Sequence, residues 1–186
     1  MRSVAVFCGS KPGFDPVFLR QAKQLGELLA ERGITLVYGG ARSGLMGALA
    51  DAVLQRGGLV IGVMPVQLES KEKVHPGLTQ LIEVPDMQTR KEQMIQLSDG
   101  FIALPGGTGT LDEIFEVITL SQLGIHKKPC AFLDVAGFYD LLFQFMKGGT
   151  SQGFIHPDYN EMLIRSTDSS DLLNQMACFQ HPHLTN

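Results

Sequence analysis

Six short apolar runs constrain this chain more than any other feature: Val4–Cys8, Ile34–Tyr38, Leu59–Met64, Leu81–Val84, Phe101–Leu104 and Pro129–Asp134. Most end at glycine or proline, and most are followed by a longer segment with apolar residues at helical spacing. Pro16–Glu31 repeats Phe18, Ala22, Leu25, Leu28 and Leu29, and Gly44–Gln55 repeats Leu45, Leu49, Ala52 and Val53. Further helices are predicted over Asp86–Leu97, opened by an aspartate cap, over Leu111–Leu123 and over Phe138–Met146. Residues 65–79 read as irregular, and the chain from Gln152 reads as short helices with polar joints. Short apolar strands separated by amphipathic helices cannot form hairpins; they form parallel strands with right-handed crossovers. The expected fold is a single doubly wound α/β domain over residues 1–186, Rossmann-like, with a mostly parallel sheet and helices on both faces.

Ligands of such sheets bind beyond the carboxyl ends of the strands, near the switch point. Four segments lie at predicted carboxyl ends: Gly9-Ser10, Gly39-Gly40, Asp86 through Arg90, and 105–110. The last belongs to Leu104-Pro-Gly-Gly-Thr-Gly-Thr-Leu-Asp-Glu113. Its glycines allow close backbone approach, and a helix starting there aims free amides and a positive dipole end outward, which suits a phosphate. Glu113 is expected on the first turn of that helix. The dinucleotide pattern G-x-G-x-x-G fails because position 112 is aspartate, and the triphosphate pattern fails because Gly39–Gly44 continues as Leu45-Met46 without lysine. A monophosphate site held by Gly107, Gly109 and Thr110 remains sensible. Thr110-Leu-Asp-Glu113 also fits a capping box, so a plain strand-to-helix turn stays open at this point.

Glu113 and Glu116 share a helix face. Spacing alone describes a solvated acidic face equally well, and Arg90-Lys91 equally well as surface charge. Ser10 fits either a turn or a ligand contact. Met87 and Met94 flank Arg90 and read as packing residues. The five histidines show no metal-ligand spacing on one element, and His181-Pro-His183 reads as a solvated tail. No metal or redox cofactor is expected.

The net charge of −4 and the absence of a basic cluster argue against a nucleic-acid partner. No apolar run approaches the ~20 residues of a membrane span. Met1–Cys8 runs straight into the first strand, too short for a signal peptide. Cys8, Cys130 and Cys178 are odd in number and widely spaced, as expected of free thiols in a reducing cytoplasm.

Pro105-Gly106-Gly107-Thr108-Gly109-Thr110-Leu111-Asp112-Glu113 resembles the P-G-G-x-G-T-x-x-E signature of the LOG ("lonely guy") family, cytokinin riboside 5′-monophosphate phosphoribohydrolases. Phe7–Ser10, Val37–Gly40, Gly44–Gly47, Asp86–Lys91 and Gln122–Pro129 resemble further family blocks, in the family order. The resemblance implies Glu113 as the catalytic carboxylate and Arg90 as the essential arginine. It implies Lys91 and Thr110 as ligand contacts, and Gly106, Gly107 and Gly109 as the phosphate cradle. Ser10, Thr108 and Glu116 complete the candidate binding set. Thr108, Gln88 and Asp112 depart from the commonest family residues, which bears on substrate preference. The implied substrate is a purine nucleoside 5′-monophosphate, and the implied assembly is a homodimer packed near the active site. Members are often labelled lysine decarboxylases, but no lysine site for pyridoxal phosphate is apparent in the sequence. The competing reading is a non-catalytic carrier or sensor of a nucleotide-like ligand, such as a molybdenum-cofactor carrier or an ADP-ribose sensor.

Overall fold

A computed structural model describes residues 1–68 and 73–182. Its strands are β1 (Ser3–Phe7), β2 (Thr35–Tyr38), β3 (Val60–Pro65), β4 (Gln80–Val84), β5 (Phe101–Ala103), β6 (Cys130–Leu133) and β7 (Leu163–Ser166). They form one sheet in the order β4-β3-β2-β1-β5-β6-β7, and every ladder is parallel. The chain steps outward from β1 to β4, then returns to β5 on the other side of β1. The switch point therefore lies between β1 and β5.

The helices are α1 (Pro16–Glu31), α2 (Gly44–Gln55), α3 (Met87–Leu97), α4 (Thr108–Gln122), α5 (Asp140–Ser151), α6 (Asp158–Glu161) and α7 (Ser169–Cys178). Strand alternation sorts them into two layers. Val4, Val6, Leu36, Tyr38, Ile102 and Leu104 pack with α1, α2 and α7. Ala5, Phe7, Val37, Phe101 and Ala103 face the opposite way, onto α3, α4 and part of α5. The expected cap at Asp86 forms, its Oδ1 accepting from Thr89 N–H at 2.8 Å, and Asp15 caps α1 ahead of Pro16, its Oδ1 accepting from Val17 N–H at 2.8 Å. The Thr89 hydrogen bond holds the Asp86 carboxyl below the usual carboxylate range. No helix among the described residues is long and apolar enough to cross a membrane.

Three expectations need correction. The helix expected from Leu111 begins at Thr108, with Gly107 at its N-cap. Glu113 therefore lies on the second turn, and Thr110 sits inside the helix instead of capping it. The chain after Gln152 contains β7 as well as short helices. That strand is only four residues long and carries Arg165 at a sheet edge, so its apolar signal is weak. The helix expected at Phe138 begins at Asp140, after a short 3-10 turn at Val135–Gly137. Residues 69–72 of the irregular stretch 65–79, and His183 of the histidine tail, lie outside the described residues.

The late start of α5 has a visible cause. Asp134, 1% exposed at the end of β6, accepts from Tyr139 N–H at 2.9 Å and from Arg165 Nε at 2.9 Å. Tyr139 O–H in turn donates to Leu104 O at 2.6 Å. One buried carboxylate thus ties β6 to β7, and through Tyr139 to the end of β5. Its loss would leave the buried Tyr139 amide without its acceptor and would cut Arg165 from β6, leaving that guanidinium to Asp140 and solvent. Asp134→Ala is expected to lower the unfolding free energy by about 3 kcal/mol, read from urea denaturation. A loss within the range of a surface substitution would show that the network holds nothing in place.

Candidate active site at the switch point

The glycine loop leaves β5 at the switch point and turns directly into α4. Gly9 N–H donates to Pro105 O at 3.0 Å, which binds the loop to the end of β1. With glycine at the N-cap, no side-chain hydrogen bond closes the first-turn amides of α4. The three glycines serve different ends. A Cβ at Gly106 would overlap the hydroxyl of the buried Thr110, whereas a Cβ at Gly107 or Gly109 would meet nothing within 4 Å. Gly106 is thus required by packing, and Gly107 and Gly109 leave the mouth of the loop open to a ligand.

A hollow of about 270 Å³ opens over this loop. Ser10, Arg90, Thr108, Thr110, Asp112 and Glu113 supply its polar side chains, Cys8, Met46 and Met87 its softer ones, and three glycines the remainder. A second, apolar hollow of about 370 Å³ adjoins it at Gly9, Ser10 and Gly107, walled by Phe18, Leu45 and Phe138. Three of the four strand-end segments expected to gather on one edge line these hollows, and Gly39 of the fourth lies against Arg90.

The charged centre is Arg90 with Glu113. Each is 8% exposed, and Arg90 Nη2 lies 3.2 Å from Glu113 Oε1. α3 and α4 lie on the same sheet face, which brings a fourth-position arginine opposite a second-turn glutamate. Both side chains face the hollow, so their burial is that of a cleft wall. Lys91 and Glu116 form a neighbouring pair at 2.6 Å, and Lys91 also reaches Asp112 at 3.2 Å. Adjacent residues on a helix point ~100° apart. Lys91 and Glu116 accordingly line a shallow depression beside the main hollow rather than the hollow itself. Glu116, the first cause, and Asp112 raise the Lys91 ammonium above the usual lysine range. That contribution is complete below the ordinary lysine value and is lost only as pH rises through the raised one.

The chain is similar to known proteins over most of its length. The family described as "Possible lysine decarboxylase" matches residues 46–176. A rice (Oryza sativa subsp. japonica) protein named "Probable cytokinin riboside 5′-monophosphate phosphoribohydrolase" is 44% identical over 97% of this chain and 81% of its own length. The chain belongs to the LOG family. A LOG relative from Rhodococcoides fascians, named cytokinin riboside 5′-monophosphate phosphoribohydrolase, is 45% identical over 90% of this chain and 85% of its own. The molybdenum cofactor binding protein of Rippkaea orientalis shares the fold: TM-score 0.71 at 22% identity, covering 95% of this chain and 96% of that one.

The LOG departures fall in different places. Thr108 and Asp112 line the hollow, whereas Gln88 Nε2 donates to Glu92 Oε1 at 3.0 Å on the exposed side of α3. The lysine-decarboxylase description finds no support at Lys91: a Schiff-base lysine must lose its proton, and this amine is held protonated between two carboxylates.

Several lining residues, Cys8, Met46 and Met87 among them, were not singled out as ligand contacts from the sequence, and neither was Gly39, which borders Arg90 but lines neither hollow. Gly39, at the end of β2, had only its strand-end position to mark it. Met46 was marked only as part of the Gly44–Gly47 block, and Cys8 read as a buried or free thiol at a strand end. Met87 read as packing, as Met94 does and is, at 1% exposure in the α3–α4 core. Cys8 is no nucleophile in waiting. Burial, and secondarily the Glu113 charge, push its thiol far above the ordinary thiol range, and burial alone pushes Cys130 up to about 12. A chromogenic disulfide reagent at about pH 8 should titrate Cys178 alone in the native protein, with Cys8 and Cys130 reacting only on unfolding. Rapid reaction of a second thiol would contradict this assignment.

Proposed function

We propose that this protein hydrolyses the N-glycosidic bond of purine nucleoside 5′-monophosphates, cytokinin riboside 5′-monophosphate or AMP, to the free base and ribose 5-phosphate. The observation that carries the reading is the buried Arg90–Glu113 pair facing a hollow over an uncapped, glycine-rich helix N-terminus. Relatives at 44–45% identity bear the phosphoribohydrolase name.

The chemistry follows from charge. As the base departs with the bonding electrons, positive charge builds on the ribose ring. The Glu113 carboxylate stabilises that charge and orients water or ribose hydroxyls. Arg90 holds the nucleotide beside it. Gly106, Gly107, Gly109 and Thr110 take the phosphate, with Ser10 and Thr108 at the rim. Because the phosphate is remote from the broken bond, this cradle contributes positioning. Lys91 and Glu116 brace α3 against α4 next to the site.

Chromatographic detection of free base tests the proposal, using AMP and isopentenyladenosine monophosphate with the parent and Glu113→Ala. Release by the parent and not the variant is expected, and the ratio of rates ranks the two nucleotides. Tight retention of a nucleotide without turnover by folded protein would favour a carrier or sensor. We further propose a homodimer in a reducing cytoplasm. The free cysteines and the exposed Leu123 and Ile125 after α4 support this. Light scattering reads the assembly, and a monomeric mass would reject it.

A further inference from the structure

We infer that Gly39 is a positioning residue: its missing side chain is the space in which the Arg90 guanidinium lies against Glu113. This rests on the reading of Arg90 as part of the reaction.

The argument begins with strand alternation. Val37 packs toward α3 and α4, and Tyr38 packs toward α1 and α2. Position 39, directly beyond β2, therefore projects toward α3. A Cβ there would overlap Arg90 Nη2, lie 3.3 Å from Arg90 Cζ and lie 3.4 Å from Met46 Sδ. An alanine at 39 would displace the guanidinium from its present partners. Those are Glu113 Oε1 at 3.2 Å and Met87 Sδ at 3.6 Å.

Gly39 is not needed for its backbone, since its φ lies outside the left-handed region. Its neighbour Gly40 is the reverse case. Gly40 has φ +83°, while a Cβ there would make only ordinary contacts at 3.5–3.6 Å with Met64 and Gly62. Two adjacent glycines thus answer to different demands, one to space and one to conformation. The atom displaced by an alanine at 39 is the far end of a long side chain. The fold can absorb the change by moving the guanidinium, so the loss falls on site geometry and not on stability.

The test compares Gly39→Ala, Gly40→Ala, Arg90→Ala and the Gly39→Ala/Arg90→Ala double variant, with AMP as substrate. Gly39→Ala is expected to lower kcat by about 10²-fold, as ångström-scale misplacement of a site group does, with Tm within about 2 °C of the parent. Gly40→Ala is expected to lower Tm by roughly 2–8 °C while keeping kcat within about threefold. In the Arg90→Ala background, Gly39→Ala should change kcat by less than about threefold, because its target is gone. A merely structural role would lower activity in both backgrounds. Parental kcat in Gly39→Ala, a Tm loss as large as that of Gly40→Ala, or multiplicative losses in the double variant would each overturn the inference. Parental kcat in Arg90→Ala would instead overturn the reading of Arg90 itself.

Discussion

Glu113→Gln is expected to lower kcat for base release by about 10²–10³-fold, with the fold retained. Glutamine matches glutamate in shape, removes the charge and turns one acceptor oxygen into an amide donor. At 8% exposure the side chain fills a defined place in the wall of the hollow, which the amide can occupy. Its carbonyl oxygen can still accept from Arg90 Nη2, 3.2 Å away in the parent. What it cannot do is oppose the positive charge that grows on the ribose. In a partly dehydrated site that opposition is stronger than in water. Since the charge exists only near the transition state, the loss should appear in kcat, with KM changed by less than about fivefold. Steady-state chromatography gives both constants, and near-UV circular dichroism checks the fold. A folded variant turning over at the parental rate would remove Glu113 from the chemistry.

Arg90→Ala is expected to lower kcat/KM by about 10²-fold or more, and Arg90→Lys to recover no more than about tenfold of that. The guanidinium is planar and forked, held between Glu113 Oε1 on one nitrogen and Met87 Sδ on another. An ammonium offers a point charge on a stem of different reach and cannot satisfy the same two directions. The Arg90→Ala/Glu113→Gln double variant should be little slower than the worse single one, because residues that act as one unit fail together. Independent, multiplicative losses would show two groups working separately. Full recovery by lysine would reduce the role of Arg90 to charge alone.

The resemblance and the local rules reached this site by separate routes. The P-G-G-x-G-T-x-x-E run marked the loop, and the parallel-sheet rule placed its carboxyl-end partners on one edge. Neither could tell an acidic helix face from a catalytic one. Glu113 and Glu116 are three residues apart, yet one faces the hollow and the other braces Lys91. Neither could see that Gly39 borders Arg90, or that Thr110 turns to Gly106 instead of capping its helix.

The sequence by itself determined the elements and their faces. Burial pattern repeats every two residues in a strand and every three to four in a helix, and glycine, proline and aspartate punctuate the ends. Those signals are local, so they survive without knowledge of the neighbours. β7 was lost because four residues with an arginine at the sheet edge carry too little of that signal. The tertiary structure alone decided which charges meet. Arg90 and Glu113 sit on different helices across a full strand, and their 3.2 Å contact exists only because α3 and α4 dock on the same face of the sheet. Periodicity states that a side chain points inward; what stands opposite it is set by packing between elements distant in the chain.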